Sequence, residues 1–153
     1  MAWIWYSEQE RLAWGEKNRA LYEYWLSIHP DKDTLPGRQH LDPIDIPSLL
    51  PNVWLVDVVK DPVRFRFRLF CTAHYGAMDR DCTGMWIDEA FSSFLESEVY
   101  DDYINLIENK MPIYRNGPAS FHIPNYKTIE RIMLPLAENG TDVNMIFALT
   151  VYF

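Results

Sequence analysis

The C-terminal stretch Val143 to Phe153 predicts a strand that is apolar on both sides. Side chains alternate along a strand, so Val143, Met145, Phe147, Leu149 and Val151 share one face. Ile146, Ala148 and Tyr152 make the other face partly apolar as well. Such a strand needs cover on both faces, because apolar area left in water forfeits its burial free energy. Two layers must therefore be found upstream. Helices in the middle of the chain supply one. The N-terminal helix, or a second copy of the chain, must supply the other.

The remaining strands follow from the same period of two. Val53 to Val59 and Arg64 to Cys71 predict an antiparallel hairpin around the Asp61-Pro62 turn. Phe65, Phe67 and Leu69 fall on one face of it and Arg64, Arg66 and Arg68 on the other. Ile113 to His122 and Thr128 to Ala137 predict two more strands, and Asn139-Gly140 turns the chain into the last one.

Three segments predict helices. The first spans about Ser7 to Ile28. Ser7 and Glu10 form a capping box, Leu12, Trp14, Leu21, Trp25 and Ile28 give an apolar stripe, and Pro30 ends it. A short helix covers Ala73 to Met78. A longer one runs from a second capping box, Ser93 with Glu96, to about Asn109, with Val99, Tyr103, Leu106 and Ile107 inward and Pro112 as the stop. Pro36, Pro43, Pro47 and Pro51 stiffen the stretch between the first helix and the first strand, where Asp45 is placed to cap a helical turn through Leu50. The expected organisation is an N-terminal helix over 1–30, a proline-rich connector over 31–52 and a core over 53–153.

Bulk properties narrow the function. At 153 residues, with 48% apolar and 15% aromatic residues, the chain has the material for one domain with a core that needs no disulfide or metal. A formal net charge of −8 argues against nucleic acid and anionic membrane as partners. The one dense basic cluster, Arg64, Arg66 and Arg68, alternates with Phe65 and Phe67 and suits a strand face paired with carboxylates. Cys71 and Cys82 make no disulfide framework. Trp3, Ile4 and Trp5 are followed at once by Glu8, Glu10 and Arg11, which is no leader, and no apolar run approaches the roughly 20 residues of a membrane span. A cytoplasmic protein without membrane insertion is the expectation.

The segments Trp25 to Ser27, Leu35 to Val53, Arg64 to Leu69, Arg80-Asp81 with Thr83-Gly84, Asp88-Glu89 and Met133 to Met145 occur in an order that resembles the PAS_5 family, PAS-like domains of bacterial, mainly alphaproteobacterial, proteins. The string Asp42-Pro-Ile-Asp-Ile-Pro47 with Leu49-Leu50-Pro51 is its most specific part, and the likeness runs from about Leu21 onward. Cys71 and Asp79 stand where the pattern has glycine. The resemblance implies an α+β fold: a five-stranded antiparallel sheet with helices on one face and an N-terminal helix that covers the other or mediates a dimer. It implies a role in sensing or signalling, and it supplies no cofactor and no catalytic residue.

In that fold a cavity between sheet and helices would be bordered by His74, Tyr75, Met78, Arg80, Trp86, Tyr103, Tyr114 and Met133. Apolar enclosure with few polar contacts is how such pockets bind small molecules. Arg80 would meet a ligand carboxylate, and His74, at the start of the short helix, is the histidine best placed to face a ligand. The same aromatic residues equally make a filled core, and the sequence leaves both open. Enzymatic readings are weaker. Cys71 with His74 lacks any sign of an activated thiolate, and none of His29, His40, His74 and His122 has zinc-ligand spacing. Asp101-Asp102 and Glu96/Glu98 suit the dipole at a helix start. Met85-Trp86-Ile87 after Gly84 is not the context of a flavin-adduct cysteine, and haem ligation by His74 is disfavoured. The expectation is a non-enzymatic sensor or adaptor, a homodimer that signals to a separate partner protein and takes a small molecule in its cavity or none at all.

Overall fold

A computed structural model of the chain describes residues 6–119 and 126–153. Within them the order is α1 (Glu8–Leu12), α2 (Glu16–Ser27), β1 (Val53–Val59), β2 (Arg64–Phe70), α3 (Thr72–Met78), α4 (Ile87–Ala90), α5 (Glu98–Asn109), β3 (Ile113–Pro118), β4 (Thr128–Leu136) and β5 (Met145–Tyr152). The strands form one antiparallel sheet in the order β2-β1-β5-β4-β3. The doubly apolar β5 is its central strand, and it is covered on both faces. α3 and α5 border the front, and α2 lies against β4 and β5 on the back. The N-terminal helix thus covers the back face within one chain.

The predicted first helix is two. Ser7 caps α1 by accepting the N–H of Glu10, but the helix stops at Leu12, which is 65% exposed and outside the stripe. The chain restarts at Gly15, whose N–H donates to Oε2 of Glu130 on β4 at 2.7 Å. That bond fixes the break, because a residue tied to the sheet cannot continue the helix above it. From there Leu21, Tyr22 and Trp25 are fully buried, and the Trp25 indole donates to the carbonyl of Pro135 at 2.9 Å. His29 bonds the Trp25 carbonyl, and His40 Nδ1 accepts the N–H of Gly37.

Other details differ from expectation. Asp42, not Asp45, caps a turn, accepting the N–H of Ile44 ahead of the 3-10 turn Pro43–Asp45. The connector is itself core, with Leu35, Leu41, Ile46 and Leu49 buried. α5 starts at Glu98 under Ser97, whose hydroxyl accepts the Tyr100 N–H; Ser93 instead precedes the 3-10 turn Phe94–Glu96. In β2 a register shift opposite Leu55 and Val56 puts Phe70 inward and leaves Leu69 38% exposed, so the inward residues are Phe65, Phe67 and Phe70. A bulge inserts one residue and reverses the alternation beyond it, which a strict period of two cannot foresee. β3 ends at Pro118, and His122 and the Trp3–Trp5 segment lie outside the described residues.

The Asn139-Gly140 turn closes as expected. The Asn139 side chain accepts the N–H groups of Thr141 and Asp142, and Gly140 has φ of 83°. A Cβ there would also meet Thr34 at 2.4 Å, so both conformation and space require glycine.

Glu130 is 5% exposed and accepts from Gly15, from Asn18 Nδ2 at 3.1 Å and from the Tyr114 hydroxyl at 2.5 Å. Glu130→Ala strands three donors and should cost about 2–4 kcal/mol in urea denaturation. Glu130→Gln, which keeps an acceptor oxygen, should cost clearly less. Equal losses for the two variants would show that burial alone, and not the acceptor, matters there.

Candidate functional site

Between the front of the sheet and α3–α5 lies a cavity of about 40 Å³. By this measure one water needs roughly 10–15 Å³, so there is room for a few waters or a ligand of a few heavy atoms. Its wall is mainly aromatic: Trp54, Phe67 and Phe70 from the sheet, Phe91 and Phe94 from the crossing segment, Tyr103 from α5.

The polar part of the wall is a chain of hydrogen bonds. The Trp54 indole donates to Thr150 Oγ1 at 2.9 Å. Tyr152 lies 2.5 Å from His74 Nδ1, and His74 Nε2 lies 3.0 Å from the carbonyl of Asn52 and 3.2 Å from that of Val53. Carbonyls only accept, so Nε2 carries the proton and Nδ1 accepts the Tyr152 O–H. Burial sets the charge state. It lowers His74 from 6.5 to about 4, opposed by the two carbonyls, and raises the Tyr152 phenol above its usual range. Both are neutral near pH 7.

The second polar group is Arg131 on β4, 8% exposed. Its Nη2 donates to Asp102 Oδ2 at 3.0 Å. Asp102, 2% exposed, is shared with Arg115, which binds it through Nε at 2.9 Å and Nη2 at 2.6 Å. Burial works against the Arg131 charge, and Tyr103 and Asp102 oppose that effect. Among the described residues its Nε has no hydrogen-bond partner.

His74, Met78 and Tyr103 border this cavity. Met133 is fully buried on the same face, paired across the sheet with Ala148. The other four predicted residues lie elsewhere. Tyr75 is 41% exposed and stacks on Phe70. Arg80 donates to the Ala90 carbonyl and sits over the Phe91 ring. Trp86 lies under the guanidinium of Arg64, 4.1 Å from the ring centre, with Arg66 at 5.4 Å. Tyr114 is on the back face, stacked on Trp14 at 4.1 Å. The basic row is paired throughout: Arg64 with Asp88 and Glu89, Arg66 and Arg68 with Asp57.

Sequence reasoning passed over Arg131, Asp102, Asn52, Thr150 and Tyr152. One signal was present: Glu130-Arg131 is a charged pair inside a strand otherwise apolar on both faces. Alternation sends one charge to each side, and each then needs a buried partner. Asp102, assigned only to the helix dipole, is one of those partners.

The Cys71–His74 pairing is absent: both His74 ring nitrogens are engaged elsewhere, and burial pushes the Cys71 thiol up. Among the described residues no helix is long and apolar enough to cross a membrane.

Because His74 is neutral in the fold and titrates near 6.5 when unfolded, the unfolded chain binds the extra proton between those values. The contribution is complete above about pH 6.5 and is lost as the pH falls toward about 4. The span corresponds to about 3 kcal/mol. Burial lowers His29 too, in the same direction. The His74 share is therefore read from the difference between wild type and His74→Gln in denaturant titrations. That difference should shrink by about 2–3 kcal/mol from pH 7.5 to pH 4. A constant difference would contradict the neutral assignment.

No curated protein matches the chain. A family model, PAS_5, described as a PAS domain, matches residues 15–150. That span runs from the Gly15 tether to Thr150 on the cavity wall, and it takes in α2, β1 to β4 and β5 as far as Thr150. The chain belongs to the PAS_5 family of PAS domains.

Proposed function

We propose that this PAS domain is a non-enzymatic sensory module whose front cavity takes a small molecule and whose output is the seating of the N-terminal helix. The observation that carries this is the buried polar wall. A core under selection only for packing has no use for a neutral histidine, two hydroxyls and a half-paired guanidinium beside an apolar space, since each must be satisfied at a cost in desolvation.

Two routes link that wall to α2. His74 bonds the Asn52 carbonyl, and the Asn52 side chain accepts from Lys17 on α2 at 2.9 Å. Arg131 faces the cavity while its neighbour Glu130 holds Gly15 and Asn18 on the other side of the same strand. A ligand that shifts β4 or Asn52 therefore pulls on the start of α2. The receiver is a separate signalling protein in the cytoplasm or a second copy of the chain. A homodimer would use the outer side of α1–α2, since the inner side is already on the sheet.

The small volume favours a second reading, an adaptor with an essentially filled core that acts by protein contacts alone. Native mass spectrometry of protein from its own host separates the two. Sensing predicts a retained small-molecule mass that is absent in Val99→Phe, a variant that fills the cavity, and the same spectrum gives the assembly state. A clean apo mass for wild type, with no ligand-dependent change on adding host metabolite extract, would favour the adaptor.

A further inference from the structure

We infer that the cavity is a site for a short-chain carboxylate, received by the Nε–H of Arg131 with its alkyl part against Trp54, Phe67 and Phe94. The inference deepens the reading of this cavity as a ligand site and rests on it.

Several donors of the cavity wall are engaged within the protein. The Trp54 indole donates to Thr150 Oγ1, the Tyr152 hydroxyl to His74 Nδ1, and the His74 Nε2–H to two carbonyls. That relay has little left to offer a ligand. Arg131 is different. It is more than nine-tenths buried, it borders the cavity, and its Nε–H has no acceptor among the described residues. A buried guanidinium donor left without an acceptor is costly, and such a group calls for an oxygen.

Charge selects the kind of oxygen. Asp102 is the carboxylate that pairs with Arg131, yet Arg115 takes it in a two-point bond and leaves Arg131 one contact. Two guanidinium groups share the one Asp102 carboxylate, and Arg131 has the lesser part of it. His74 is neutral and adds no charge. An anionic oxygen offsets the guanidinium charge and meets the donor at once, which a water or an amide oxygen does only in part. The volume admits a few heavy atoms, and the aromatic wall asks for an apolar remainder.

There is also a way in. An outer groove of about 570 Å³ lies between the start of α5 and β3, and Val99, Ile129 and Arg131 border both groove and cavity. These three side chains form the partition. Glu96 and Glu98 stand on the outer rim and oppose dense multivalent anions, which points to a monocarboxylate.

The test uses the whole chain and four probes at matched ionic strength: acetate, propionate, butyrate and the neutral isostere propionamide. Calorimetric titration and thermal shift should show saturable binding of a short acid, with propionamide weaker by about tenfold or more, the scale of one charge-assisted hydrogen bond. Arg131→Lys keeps a cation for Asp102 but removes Nε, and should lose that preference. If the lysine variant does not fold, the acid-against-amide comparison in wild type decides alone. Equal binding of propionate and propionamide would overturn the carboxylate assignment and leave the ligand cavity standing. No binding by any probe, with Val99→Phe indistinguishable from wild type in the same titrations, would overturn both.

Discussion

Glu130 and Arg131 are adjacent in β4, opposite in charge, and buried on opposite faces of one sheet. Neither tolerates that position alone, since an unpaired buried charge costs several kcal/mol. Among the described residues, Glu130 is met by elements that come from the N-terminus and from β3: the Gly15 N–H, the Asn18 amide and the Tyr114 hydroxyl. Arg131 is held through α5, where Asp102 accepts from its Nη2. One dipeptide thus specifies what lies in front of the sheet and what lies behind it. The break between α1 and α2, the stacking of Trp14 on Tyr114 and the docking of α5 all follow from meeting those two demands.

In the proposed function, the same arrangement makes β4 the conductor. Apolar packing resists deformation but is indifferent to small changes in direction, whereas hydrogen bonds to a carboxylate weaken steeply with distance and angle. The back face is held at Glu130 by bonds of 2.7 and 3.1 Å to two residues that begin α2. A ligand oxygen that engages Arg131 changes the load on the adjacent residue. The parallel path through His74, Asn52 and Lys17 reaches the same first turn of α2. In the proposed reading, the two polar paths ending on α2 give the signal its direction.

Much of this fold was legible in the residues. The doubly apolar β5 required cover on both faces, and α2 and α3–α5 provide it. The hairpin, the Asn139-Gly140 turn and the stop at Pro112 follow from local chemistry that no distant contact overrides. What was not legible depends on distant contacts. The break after Leu12 is set by Glu130, 115 residues beyond Gly15. The exchange of Leu69 for Phe70 comes from a bulge whose partner strand decides its place. In the site, His74 and Met78 came from the short helix expected beside the cavity and Tyr103 from helical spacing, but Tyr114 fell on the back because strand parity, not composition, chooses the face. Arg131 escaped notice because its partner, Asp102, is 29 residues away in sequence and on another element.

The central claim is that β4 couples the front cavity to the N-terminal helix. Amide hydrogen exchange of α2 tests it most directly, comparing wild type with Arg131→Lys and with Val99→Phe at one pH and temperature. Coupling predicts that protection across residues 16–27 changes by about tenfold or more in both variants while the β1–β2 hairpin keeps its wild-type rates. Unchanged exchange in α2, with the perturbation confined to α5 and the cavity wall, would contradict it.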